Sequence, residues 1–206
     1  MSVIPAETDV AIIGAGPAGL FAAFQCAMLR LRCVLIDVLP EVGGQCAALY
    51  PEKPIYDIPA CPAVEGAELI ANLERQIAPF NIPRLLKHRV EGLSGQRGDF
   101  TLTTDQGSNL HAKAVIIAAG AGAFGPNRPP LEGLAAYEDS GAVQYYVRRK
   151  ADFQSRRIVI AGGGDSALDW ALSLKDSAAK LYLALPSHPL RGAPESLRPP
   201  EEAVAA

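Results

Sequence analysis

Asp9-Val10-Ala11-Ile12-Ile13-Gly14-Ala15-Gly16-Pro17-Ala18-Gly19 decides the fold of this chain. A short, bounded apolar run of this kind is a strand covered on both faces, and Leu20 to Leu29 then carries a helix. The three glycines have separate tasks. Gly14 lets the chain turn tightly, Gly16 has no Cβ to block an approaching pyrophosphate, and Gly19 lets the helix lie close on the strand. The first N–H groups of the helix lack intrahelical partners and carry the positive end of its dipole, so they suit an anion. Pro17 fits the first helical position, where no N–H is needed. A glycine turn alone can be merely steric, so the acid downstream matters. Asp37 follows the apolar run Cys33-Val34-Leu35-Ile36, about 20 residues past the glycines, where a carboxylate accepts ribose hydroxyls. Strand, glycines, helix, strand and acid in this order predict a dinucleotide site.

With 206 residues, 49% of them apolar, the chain can bury a sizeable core in one large domain or two small ones. A net charge of -3 and the lack of a basic stretch interleaved with aromatics argue against nucleic acid as a partner. No apolar run approaches the roughly 20 residues that cross a bilayer, and Glu7 and Asp9 stand where a basic leader would. A cytoplasmic protein without membrane contact is expected. Cys26, Cys33, Cys46 and Cys61 match neither a C-x-x-C pair nor a zinc pattern and read as reduced thiols, the first two as core filler. No metal is implied. His88, His111 and His188 lie far apart, with no sequence neighbour to complete a ligand set or a nucleophile and base.

Further along, Gly43-Gly44-Gln45 reads as a tight turn, Cys46 to Tyr50 as a helical turn, and Pro51 and Pro54 as its end. Leu69, Ile70, Leu73 and Ile77 recur at helical spacing, so a helix is expected from Glu65 to Ile77, with Pro79 at its end. From Arg84 to Leu110 the period falls to two between glycine breaks, which predicts a small antiparallel meander. Ala114 to Gly120 reads as another fully buried strand returning to the first sheet. The glycine- and proline-rich stretch from Ala121 to Pro130 suits a boundary, giving domains of residues 1–120 and 121–206. Beyond it, Arg157-Ile158-Val159-Ile160-Ala161 leads into Gly162-Gly163-Gly164-Asp165-Ser166-Ala167, and Leu168 to Leu174 continues at helical spacing. Gly162, Gly164 and Ala167 fit G-x-G-x-x-A, a second nucleotide unit without the acid expected after its next strand, Lys180 to Ala184. The fold class expected is α/β, with two Rossmann-like βαβ units and a small meander.

Gly43-Gly44-Gln45, Ala48-Leu49-Tyr50-Pro51-Glu52-Lys53, Ala119-Gly120-Ala121-Gly122-Ala123-Phe124 and Gly162 through Ala171 carry a resemblance, extending from about Thr8 to about Ser196. The chain resembles the thioredoxin-reductase-like ferredoxin–NADP+ reductases, two-domain flavoproteins. The resemblance implies FAD in the first unit, touched by Asp37 at the ribose and by Gln45, Tyr50, Val90 and Phe124 around the rest of the cofactor. Tyr50 and Phe124 would supply the apolar wall a flavin ring needs, although either could simply pack. NADPH would sit in the second unit, an iron-sulfur ferredoxin would take the electrons, and the protein would be a homodimer. The chemistry is then the cofactor's, and no catalytic acid or base is named.

Where the family carries a His-Arg-Arg-x-x-Phe-Arg stretch against the 2′-phosphate of NADPH, this chain has Leu185-Pro186-Ser187-His188-Pro189-Leu190-Arg191, keeping only Arg191. The chain stops at Ala206, where family members continue, so a C-terminally truncated member that reduces ferredoxin poorly is expected. The alternatives are an inactive FAD-binding remnant or interaction module and, less favoured, a disulfide reductase. The last lacks the C-x-x-C that thioredoxin reductases place ahead of the second glycine motif, since no cysteine follows Cys61. Basic clusters at Arg84, Lys87, His88 and Arg89, and at Arg148, Arg149, Lys150, Arg156 and Arg157, could steer an acidic ferredoxin or be ordinary solvated surface.

Overall fold

The computed structural model describes residues 6–122 and 128–185. The chain divides into two compact units, Met1–Arg148 and Arg149–Ala206, so the segment following Gly120 groups with the first.

In the first unit the opening apolar run forms β1 (Glu7–Ile13), the glycine turn leads into α1 (Pro17–Met28), and β2 (Cys33–Asp37) lies parallel to β1. There follow α2 (Gly44–Ala48), a two-residue ribbon of β3 (Pro54–Ile55) with β4 (Val64–Glu65), and α3 (Gly66–Ile77). The chain then forms β5 (Arg84–Leu86), β6 (Val90–Gln96), β7 (Asp99–Thr104) and β8 (Asn109–Ile117), and ends the unit with α4 (Leu134–Asp139). One six-stranded sheet runs in the order β5-β2-β1-β8-β7-β6.

From Val10 to Ile13 β1 is apolar because both its faces are covered. Val10 and Ile12 pack with Leu20 and Ala23 of α1 and Ile70 and Ile77 of α3, while Ala11 packs with Val34, Leu102 and Leu110 on the other side. Burying each such large aliphatic side chain is worth about 1.5–3 kcal/mol, so this double cover anchors the strand that carries the glycine turn.

Two strand expectations change. The run after Arg84 does not open the meander, because β5 joins the parallel sheet beside β2, with Ile36 opposite Leu85. Within this sheet only the β6–β7 and β7–β8 pairings are antiparallel, and β8 lies parallel to β1 on its other side. Leu35 N–H donates to the Pro83 carbonyl at 3.0 Å and Leu85 is buried, so a core position and a free sheet edge decided the pairing. The stretch from Ala114 is not fully buried either: it ends β8, and Ile117 is 71% exposed. The helical layer centres on β1 and β2 and meets the end of β8 at Ile116 and, just past the strand, at Ala118.

Asp9 fastens β1 to its neighbours. Its carboxylate accepts from Arg32 N–H at 3.0 Å and Nε at 3.2 Å and from Lys113 Nζ at 2.9 Å. Chiefly the Arg32 side chain, then Lys113, holds this carboxyl well below the usual carboxylate range. A carboxyl depressed in the folded state stabilises fully above the unfolded pKa, near 4, and less as pH falls below it. Asp9→Asn is therefore expected to lower the thermal midpoint at neutral pH and to flatten its fall below about pH 4. Parallel acid profiles for the two proteins would refute this linkage.

The second unit repeats the opening device: β9 (Arg157–Ala161), then α5 (Asp165–Leu174), then β10 (Lys180–Ala184) parallel to β9. Among its described residues Ile158, Leu168 and Leu174 are buried, while Val159 is 67% exposed.

Candidate dinucleotide-binding site

At the carboxyl ends of β1 and β2 the first unit encloses a cavity of about 650 Å³, within the range of small-molecule and cofactor sites. Gly14, Gly16, Asp37, Gln45, Tyr50 and Val90 all line it, brought together from five separate stretches of chain. Gly19 lies beneath the turn instead. Phe124 and Arg191 fall outside the described residues.

The glycines divide as their chemistry demands. Gly14 has φ +106°, and a Cβ there would clash with the Ala118 carbonyl oxygen. A Cβ on Gly19 would clash with the Gly14 carbonyl oxygen, which is how closely α1 lies on the turn. Gly16 differs, because a Cβ there would meet nothing nearer than the Gly44 Cα at 3.8 Å. The protein's own packing does not need glycine at that position, which leaves open space beside the turn. Gly16 is also the N-cap of α1, with extended backbone and no side-chain hydrogen bond to the first turn. The first turn of α1 carries no acidic side chain, so its dipole is left for an anion. Gly164 caps α5 with the same extended backbone, and a Cβ on Gly162 would come within 3.3 Å of the Ala167 Cβ. That helix differs in having Asp165 in its first turn.

Asp37 is more occupied than its spacing implies. One carboxylate oxygen accepts the Ala15 N–H at 2.6 Å and the other the Leu39 N–H at 2.9 Å. A carboxylate has about four lone-pair directions, so two backbone donors leave room for ribose hydroxyls. Tyr50, also on the cavity wall, stands beside Cys46, with its hydroxyl 4.0 Å from Sγ. Burial first, then that thiol, pushes the Tyr50 hydroxyl up to about 12. Burial likewise raises the Cys46 thiol, so the pair forms a neutral wall.

Sequence reasoning missed His88, Arg89 and Cys46 as cavity residues. Their signal was present, since His88 and Arg89 lie within two residues of Val90, but their charge directed attention to the surface. The basic clusters are partly neutralised. Arg84 pairs with Glu74, Arg89 with Glu91 and Arg149 with Asp152, at 2.6, 2.8 and 2.8 Å. Among the described residues, no group of three or more His, Cys, Asp or Glu side chains could hold a metal ion, and no helix is long and apolar enough to cross a membrane.

Solved structures show the same fold. The Lactococcus lactis thioredoxin reductase superposes with a TM-score of 0.72 at 27% identity, over 92% of this chain and 59% of that one. The T. acidophilum thioredoxin reductase gives 0.75 at 21% identity, over 94% and 60%. Among curated relatives, the ferredoxin–NADP reductase of Gluconacetobacter diazotrophicus is 71% identical over 97% of this chain and 58% of its own length. That of Gluconobacter oxydans is 69% identical over 97% and 59%. The chain thus spans a little under three-fifths of the relatives it matches. The pattern of the pyridine nucleotide-disulphide oxidoreductases extends over residues 8–204, and with the glycine turn, the acid and the cavity in place, the chain belongs to that family.

Proposed function

We propose that this chain is the FAD- and NADPH-binding part of a ferredoxin–NADP+ reductase-type flavoprotein, an oxidoreductase that moves electrons between NADPH and ferredoxin. The observation that carries this reading is the cavity where Gly16, Asp37, Gln45, Tyr50 and Val90 converge. Gly16 and the free N–H groups of α1 take the pyrophosphate, Asp37 takes the ribose, and Tyr50 with Cys46 walls the flavin. FAD, when bound, mediates between a two-electron donor and a one-electron acceptor. Gly162 and Gly164 open the corresponding site for NADPH in the second unit. The lack of an acid just past β10 favours NADPH over NADH, because a carboxylate there would repel the 2′-phosphate. The names of the close relatives support ferredoxin as acceptor, and the family resemblance supports a cytoplasmic homodimer.

The test is cofactor content. Protein equilibrated with FAD and then freed of unbound flavin is expected to retain about one FAD per chain and to retain no FMN, because most of the site grips the adenosine diphosphate half. Under anaerobic conditions NADPH is expected to bleach that flavin faster than NADH. Equal retention of FMN, or none of FAD, would overturn the reading.

A further inference from the structure

On the reading that the first cavity holds FAD, we propose that His88 recognises the adenine of the dinucleotide, accepting a hydrogen bond from its exocyclic amine through Nε2. The sheet order gives the direction. The pyrophosphate belongs at the end of β1, the ribose at Asp37 on the end of β2, and the next strand outward is β5. The base therefore extends over the end of β5, and His88 follows Leu86, the last residue of that strand, by two positions. His88 lines the cavity with Asp37, Val38, Leu39 and Val90.

Two backbone bonds hold it there. Lys87 N–H donates to the Leu39 carbonyl at 3.1 Å, and His88 N–H donates to the Asp37 carbonyl at 2.9 Å. Lys87 adopts φ +60° in making them, a left-handed conformation that costs a non-glycine residue about 1 kcal/mol or more and clusters at ligand sites. The ring is oriented as well. His88 Nδ1 lies 2.7 Å from the Leu86 carbonyl oxygen, which can only accept. Nδ1 therefore carries the proton, and in the neutral ring Nε2 is an acceptor. Adenine offers an N–H donor on its exocyclic nitrogen. Hypoxanthine has a carbonyl oxygen in that place, which would face the Nε2 lone pair.

The experiment compares FAD with flavin hypoxanthine dinucleotide, titrated into apoprotein at about pH 8 and followed by flavin fluorescence. The wild-type chain is expected to bind FAD about tenfold more tightly than the analogue, the scale of one buried hydrogen bond. His88→Leu is expected to bind both equally, with FAD weakened about tenfold, and His88→Gln, which restores an acceptor, to recover part of the preference. Should His88→Leu bind neither measurably, the preference in His88→Gln decides, and its loss there overturns the proposal. Tight FAD binding with no discrimination in the wild type, or undiminished discrimination in His88→Leu, refutes the role of His88 while leaving FAD binding intact. Failure of the wild type to bind either dinucleotide removes the underlying reading instead.

Discussion

Gly16→Val is expected to abolish FAD retention while leaving the apoprotein folded, and Gly19→Val is expected to do the reverse damage by preventing the fold from forming. The structure separates two glycines that the motif treats alike. A Cβ at Gly16 finds its nearest neighbour at 3.8 Å, on the Gly44 Cα, whereas a Cβ at Gly19 runs into the Gly14 carbonyl oxygen. That oxygen is main chain, buried between helix and strand, and cannot move aside without pulling α1 off β1. At Gly16 the branched side chain instead fills the space through which a pyrophosphate reaches the N–H groups of α1. Two or more charge-assisted hydrogen bonds are then lost, each worth about 1.5–3 kcal/mol, so affinity should fall by at least about 100-fold. Circular dichroism and thermal melts of the apoproteins, with flavin content after reconstitution, check both halves. Normal flavin content in Gly16→Val would show that no ligand passes the turn at this point. A soluble, cooperatively melting Gly19→Val would show that the helix is not pinned there.

Replacing Asp37 by Ala is expected to destabilise the apoprotein by about 2–4 kcal/mol as well as weaken FAD, because two backbone amides lose a charged acceptor. The spacing alone assigns this carboxylate to the ligand. The geometry gives it a second task, since it bridges Ala15 in the glycine turn and Leu39 just past β2, fixing the turn before any nucleotide arrives. Prepaid ordering of this sort raises affinity without adding a contact to the ligand. Asp37→Asn should fall between the two, because its amide keeps one carbonyl acceptor and turns a donor toward the other N–H. Denaturant melts of the apoproteins provide the measurement. An unchanged midpoint in Asp37→Ala alongside weaker FAD binding would leave the carboxylate with the ribose alone.

The local sequence determined a good deal. β1, the glycine turn, α1 and β2 were legible because each rests on short-range facts: a bounded apolar run, glycines at the spacing of a strand-to-helix turn, proline at a helix start. The same holds for β9, the second glycine turn and α5, and for α3, whose Leu69, Ile70 and Ile77 share one buried face. Gly14, Gly16 and Asp37 could be placed at one site from spacing, and the wider resemblance added Gln45, Tyr50 and Val90. Tertiary structure alone decided the rest. Periodicity reports that a strand has apolar faces but not which neighbour covers them, so β5 could be seated beside β2 only once the sheet was assembled. For the same reason the exposure of Ile117 was invisible in an unbroken apolar run. His88 and Leu39 lie far apart in sequence, and only the backbone bonds joining residues 87–88 to 37–39 turn a surface-looking histidine into a wall of the cavity. Hydrogen-bond partners across such separations depend on how the strands pack, and no local pattern of residues encodes them.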